Sequence, residues 1–375
     1  MYLLKTQRMK LGKLLLILLF TTLSFPSCFK DEALNTEADI ETCNIPGDVL
    51  KMEPKIENDR ISIMIKQTAD ITRLALEFTL TPGATIEPVS GTERDFTFPQ
   101  TYTVTSEDGM WEKVYTVSCT QNSISTKYDF EHFELDNTER YYNFYEVLPD
   151  NQKIYFWANG NGGFAIVSGN SQPLDYPTTP SPFGKSGNCL KLETKSTGLL
   201  GALSNMRLAA GNLFIGDFKT LSAMEDPLGA TRFGVPFDFV PIRLKGYYQY
   251  KAGSVFIEKD GKKNPNAKDS FDIYAILYET NEQTKYLTGY DALTSPNLIS
   301  IARFKDEDKK ESSDWTFFDL PFEYLQGKVI DTEKLEQGKY NVSIIFTSSI
   351  EGGSFRGAVG STLLIDEVEL VHEDN

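Results

Sequence analysis

Residues 271–279 read "FDIYAILYE". The run is short, rich in β-branched and aromatic side chains, and bounded by polar residues, which predicts a strand. Side chains alternate along a strand, so Asp272, Tyr274, Ile276 and Tyr278 share one face. Taken singly, each ring is expected in a core, because large aromatics are usually buried. An acid and two phenols together are harder to bury, which makes this face a candidate binding surface.

Working outward, the same signature recurs in "KIYFWANG" (153–160), "GFAIVSG" (163–169), "CLKLET" (189–194), "GNLFIGDF" (211–218) and "TRFGVPFDF" (231–239). It continues in "IRLKGYYQYKAG" (242–253), "WTFFDLPF" (315–322), "KYNVSIIFTSS" (339–349) and "STLLIDEVELV" (361–371). Helical patterning is scarce; "VIDTEKLEQG" (329–338) supplies a turn or two. About ten strands over about 245 residues, from 128 to 375, predict a β-sandwich of jelly-roll type.

Residues 37–121 carry shorter strands. "RISIMIKQ" (60–67) alternates Ile61, Ile63 and Ile65; "RLALEFTL" (73–80) alternates Leu74, Leu76 and Phe78; "TYTVTSEDGMWEKVYTVSC" (101–119) is two strands about a Glu-Asp-Gly turn. This density of strands predicts a smaller immunoglobulin-like sandwich acting as a spacer. The polar stretch 122–127 is the expected linker. The fold class is therefore all-β, with two sandwiches in tandem.

Residues 14–33, "LLLILLFTTLSFPSCFKDEA", follow Lys5, Arg8, Lys10 and Lys13. A cationic segment, a short apolar run and then small residues are the order of a secretory signal peptide, here 1–27, too short to span a bilayer. Phe25-Pro26-Ser27 is a loose lipobox, so Cys28 is the expected lipidated N-terminus of a tether, 28–36. Lys30-Asp31-Glu32 resembles the signal that sends some lipoproteins to the outer face of the outer membrane. The predicted location is thus the cell surface, lipid-anchored in the outer membrane.

The net charge of −16 and the lack of a basic stripe argue against nucleic acid as a partner. Four cysteines fall to three once Cys28 is acylated. Cys43 and Cys119, near the two ends of the first sandwich, pair if its first and last strands are neighbours. Cys189 reads as a small buried hydrophobe.

Several motifs are decoys. "GNGGFA" (160–165) has the letters of a dinucleotide loop, but "IVSGNSQP" after it reads as strand and turn. "FGKSG" (183–187) lacks the phosphate-loop glycine, since Thr179 stands there. His132 and His372 are the chain's two histidines, too few for a histidine metal cluster and too close to the domain's ends for a Ser-His-Asp triad.

Carboxylates and aromatics remain. A sugar offers an apolar C–H face and a polar rim, which a ring and planar polar groups recognise together. The expected binding face is Trp157, Asn159, Arg232, Tyr248, Asp272 and Tyr274, with rings stacking, Asn159 and Asp272 gripping hydroxyls, and Arg232 reading an acidic or axial group.

Ordered blocks then carry a family resemblance: "FEHFE" (130–134), "FWANGNGGFAIVSG" (156–169), "YPTTPSPFGKSGNCLKLET" (176–194), "LAAGNLFIGDF" (208–218), "PLGATRFGVPFDFVPIRLKGYYQYKAG" (227–253), "DSFDIYAILYE" (269–279) and "GAVGSTLLIDEVEL" (357–370). Together they resemble the putative carbohydrate metabolism domain of surface lipoproteins from glycan-degrading gut bacteria. The resemblance implies a jelly roll behind an immunoglobulin-like domain and names no reaction. "LLIDEVEL" (363–370) also resembles the last strand of carbohydrate-binding jelly rolls in which two acids hold a structural calcium; Glu131 and Asp366 match those positions. The plain alternative is that both acids cap loops.

Three functions stay open. One is a surface glycan-binding lipoprotein, part of a glycan-uptake complex, with a poly- or oligosaccharide as partner. The second is a glycoside hydrolase drawing two acids from Glu193, Asp217, Asp272 and Glu279, or a polysaccharide lyase using Arg232 with Tyr248. The third is a non-catalytic adhesion or scaffold protein whose aromatics are simply core.

Overall fold

The computed structural model describes residues 33–66, 68–121, 124–148 and 153–373. The predicted signal peptide, Cys28 and most of the tether lie outside the described residues.

The first unit is built by the expected alternation. Ile61, Ile63, Ile65, Leu74, Leu76, Tyr102, Val104, Tyr115 and Val117 all point into one core. Its five-stranded sheet runs Lys55–Glu57, Arg60–Met64, Glu112–Thr120, Gln100–Thr105, Thr85–Glu87. Arg60–Met64 lies parallel to Glu112–Thr120, and Ile40–Asn44 pairs with Glu77–Leu80 beside the sheet. Cys43 and Cys119 enter this core as free, buried thiols rather than a bridge. Burial pushes both thiols up, Cys43 to about 12.

The second unit is a sandwich of two antiparallel sheets. The six-stranded sheet orders Thr178–Ser181, Cys189–Glu193, Thr362–Glu373, Val240–Lys251 and Ser312–Pro321, with Lys127–Tyr128 also pairing to Thr362–Glu373. The nine-stranded sheet orders Leu287–Thr288, Thr231–Phe233, Asn212–Phe218, Tyr340–Thr347, Asp272–Glu279, Leu298–Arg303 and Glu323–Tyr324. Trp157–Ala158 and Val235–Pro236 add to it. Between the sheets, Leu213, Ile215, Ile273, Ala275, Leu277, Val342, Ile344 and Phe346 meet Leu244, Tyr248, Tyr250, Leu363 and Ile365. The alternate residues of the same strands, Phe214, Tyr274, Ile276, Tyr278 and Ile345, form a second apolar layer on the sheet's outer face. A sheet covered on both faces explains why "DIYAILYE" lacks polar alternation: seven of its eight residues are buried.

Several contacts join the two units. Met64 joins the larger core, Lys51 pairs with Asp238 at 2.5 Å, and Lys285 pairs with Glu53 at 2.5 Å. Arg60 also reaches Glu134 and lies over the Tyr155 ring.

Two segments differ from expectation. "GNGGFAIVSG" contains an α-helix, Asn161–Val167, not a strand. Its start is fixed by side chains: Asn159 Oδ1 accepts from the Asn161 N–H at 2.9 Å, and Asn161 Nδ2 donates to the Thr178 carbonyl at 2.7 Å. Gly160 caps this helix and residues 161–165 lie within it, just after the strand Trp157–Ala158, though the helix is only seven residues long. A second helix, Gly198–Leu203, was not foreseen either. The third, Thr332–Glu336, matches the expected turn or two, capped by Asp331.

Glu146 is buried and accepts from Trp157 Nε1 at 2.9 Å. Burial pushes its carboxyl up to about 8, against an unfolded value of about 4.3. The native protein therefore keeps a proton that the unfolded chain releases, and stability falls as pH rises through that window. Denaturation midpoints between about pH 5 and about pH 8 should decline with a slope of up to about 1.4 kcal/mol per pH unit from this group. Glu146→Gln should flatten that part of the slope; an unchanged slope assigns the effect elsewhere.

Candidate functional site

The outer face of the nine-stranded sheet is the floor of a pocket of about 490 Å³. Phe214, Phe233, Tyr274 and Ile345 rise from adjacent strands to make that floor. The two unforeseen helices contribute Phe164 and Gly201 to the walls, and loops contribute Met224, Tyr290 and Phe355. Gly163 belongs to the first helix and stands against the rings: a Cβ there would meet Phe218 at 3.6 Å. The size falls within the usual range for a small-molecule site, and the lining is aromatic and apolar with few polar groups.

Those few polar groups include an ion cluster. Arg303 holds Asp272 Oδ2 with Nε at 2.9 Å and Nη2 at 2.6 Å, and Lys309 Nζ lies 3.3 Å from Oδ1. Lys309 is itself buried and also pairs with exposed Asp306 at 2.9 Å. The Arg303 guanidinium stands 5.6 Å from the Tyr274 ring centre, so cation and ring form one wall. Burial, with the Asp272 charge adding to it, pushes the Tyr274 phenol up, so it stays protonated and able to donate. At the rim, exposed Tyr290 donates its hydroxyl to Asp226 Oδ1 at 2.5 Å, which fixes the ring's position.

Two of the six expected binding residues, Asp272 and Tyr274, line this pocket. Trp157 and Tyr248 do not: both lie in the core between the sheets, Trp157 against Tyr128 and Phe130, Tyr248 against Phe271 and Phe304. Strand parity sends them inward, so neither ring is available to stack on a ligand. Asn159 is buried just before the helix, its side-chain oxygen accepting from the Asn161 N–H. Arg232 lies over the Tyr286 ring at 4.5 Å, outside the pocket lining.

The four candidate acids sit in separate ion pairs. Glu193 lies between Lys191 and Lys195, Asp217 pairs with Lys219, Glu279 with Lys334 and Asp272 with Arg303. Asp272 alone of the four lines the pocket. The Arg232–Tyr248 combination is not assembled, because Tyr248 belongs to the opposite sheet's inner face.

Glu131 and Asp366 both face the loop 185–188. Glu131 accepts from the Asn188 backbone N–H at 2.7 Å and side-chain amide at 2.6 Å; Asp366 accepts from the N–H groups of Lys185 at 2.7 Å and Ser186 at 3.1 Å. These oxygens are aimed at donors, and calcium requires about six to eight oxygens. Among the described residues, no group of three or more His, Cys, Asp or Glu side chains is placed to hold a metal. In this structure the pair acts as loop-holding acids.

Phe214, Phe218, Phe233, Arg303 and Tyr290 were missed in the sequence. A signal existed in "NLFIGDF": once Leu213 and Ile215 point inward, Phe214 and Phe218 must point out.

Residues 129–371 match the family model described as "Putative carbohydrate metabolism domain", and residues 41–119 match the model described as "SGBP, N-terminal". A crystal structure named a putative glycoside hydrolase from Bacteroides thetaiotaomicron is 51% identical, with a TM-score of 0.86, covering 92% of this chain and 100% of that one. A second, named a putative glycoside hydrolase from Bacteroides vulgatus, is 44% identical with a TM-score of 0.63, covering 67% of this chain and 99% of that one. No curated protein matches the chain. The jelly roll with its outer-face pocket, and the domain ahead of it, are therefore those of a member of the putative carbohydrate metabolism domain family.

Proposed function

We propose that this protein is a non-catalytic glycan-binding lipoprotein, held on the outer membrane by lipid on Cys28, that takes the end of a glycan chain into its outer-face pocket. The observation that carries this reading is the combination of aromatic floor, Arg303–Asp272 cluster and Tyr274 hydroxyl in one walled cavity. Rings meet a sugar's C–H faces while the polar groups meet its hydroxyls. Walls on several sides favour a chain end over a chain running through. Membership in a carbohydrate-related family supports the same ligand class. Surface exposure, which the Lys30-Asp31-Glu32 tether supports, and a place in a glycan-uptake complex are parts of the proposal.

Hydrolysis is the second reading, favoured by the names of the two similar structures. It requires two carboxyl groups flanking one bond. In the pocket lining one carboxylate, Asp272, is present, and it is held by two cations. That arrangement suits positioning better than proton transfer.

A glycan array probed with the chain from residue 33 onward should show selective binding to one linkage class; silence across plant, host and microbial glycans would favour the scaffold reading. On the ligand so found, Tyr274→Phe should weaken affinity about 2- to 12-fold, the worth of one neutral hydrogen bond. Trp157→Phe should leave affinity unchanged, because that ring faces the core. Release of sugar from the bound glycan by the wild-type protein would replace binding with hydrolysis. Separately, Asp272→Ala leaves Arg303 without its carboxylate and Lys309 with exposed Asp306 alone, and should cost about 1–3 kcal/mol of stability by urea denaturation, whereas Glu193→Ala should cost under about 1 kcal/mol.

A further inference from the structure

The turn between Gln100–Thr105 and Glu112–Thr120 exposes two large apolar side chains in succession, Met110 (79% exposed) and Trp111 (63% exposed). Nothing in the first unit's core accounts for them. The turn itself is firmly built: Ser106 N–H donates to the Trp111 carbonyl at 3.0 Å, and Asp108 Oδ1 accepts from Ser106 Oγ at 2.6 Å and from the Met110 N–H at 2.9 Å.

The start of the described chain is bound to this same turn. Asn35 N–H donates to Glu107 Oε2 at 2.8 Å, and Asp108 N–H donates to the Asn35 carbonyl at 3.3 Å. Leu34 beside it is 56% exposed. Cys28 lies seven residues before Asn35. A chain that long spans at most about 25 Å when fully extended. Whatever holds Cys28 therefore holds Met110 and Trp111 within a short distance of itself.

Strand direction places the second unit away from this end. Glu112–Thr120 runs from the turn toward the linker, about 30 Å at strand rise. The contacts to the jelly roll include Lys51, Glu53, Lys55, Arg60 and Met64; Arg60 is level with Thr116 and Met64 with Thr120, both past the turn.

We infer that the 106–111 turn is a second membrane contact, in which Trp111 and Met110 enter the headgroup region of the lipid surface that holds Cys28. This inference rests on the lipid-anchor reading proposed above. Tryptophan favours that boundary because its ring is apolar and its N–H finds partners among headgroups and water. Glu107, Asp108 and Glu112 flank the pair, so a zwitterionic surface suits the turn better than an anionic one. With two attachments the first unit cannot swing freely about its tether, and the second unit, with its pocket, is held at the end of the first unit remote from the membrane.

The test couples the chain from Cys28 onward, through that thiol, to a maleimide phospholipid in phosphatidylcholine vesicles; the other three cysteines are buried. Brominated phosphatidylcholine should quench part of the tryptophan emission, and Trp111→Ser should abolish that quenching. Quenching should fall in vesicles rich in phosphatidylglycerol. Equal quenching, or none, in wild type and Trp111→Ser overturns the contact. Whether cells acylate Cys28 is read separately, by labelled palmitate on the full-length protein against Cys28→Ser. Labelling without Trp111-dependent quenching removes the second contact and keeps the anchor; absence of labelling removes the anchor and the inference with it.

Discussion

The strand Asp272–Glu279 is buried on both faces, and the architecture of the second unit depends on that. It is hydrogen-bonded along its whole length to Tyr340–Thr347 on one side and to Leu298–Arg303 on the other. Its odd-numbered residues fill the space between the sheets; its even-numbered residues build the pocket floor and the layer around it. A slip of one residue would exchange the two sets, placing Asp272 and the tyrosine hydroxyls in the inner core. Register is thus fixed by polarity as well as by packing.

Burying Asp272 at the edge of that layer is costly unless its charge is matched. Arg303 comes from the neighbouring strand, where it is directly opposite Tyr274, and Lys309 comes from the loop beyond it. The pair of cations converts an unfavourable burial into a rigid polar corner in an otherwise apolar cavity. The same carboxylate that looked like a ligand contact or a catalytic acid is first a structural counter-ion. It fixes the Arg303 guanidinium in the pocket lining.

The first unit is more than a passive spacer in its joints. Its linker-side end is stitched to the jelly roll by Met64 and by ion pairs, while the opposite end binds the incoming chain through Asn35. The described chain thus enters at one end of the first unit, and the pocket-bearing unit joins at the other.

The residues by themselves determined the two-sandwich organisation, the strands and most of their inward parity, because period-two patterning and turn chemistry are local properties. Ile61, Ile63 and Ile65 in the first core, and Tyr248 with Tyr250 on one strand face, were legible that way. Which face of a doubly covered strand carries the site was not legible, since both faces are apolar. Trp157 has the chemistry of a sugar-stacking ring, but pairing of Trp157–Ala158 with Asn212–Phe218 turns it inward. The helix at Asn161–Val167 depends on the distant Thr178 backbone, which no local pattern reports. Arg303 is separated from Asp272 by 31 residues and becomes its partner only when the strands pair. Local pattern thus reports most strands and the two layers; the pocket exists only where long-range pairing brings four strands and two short helices around one face.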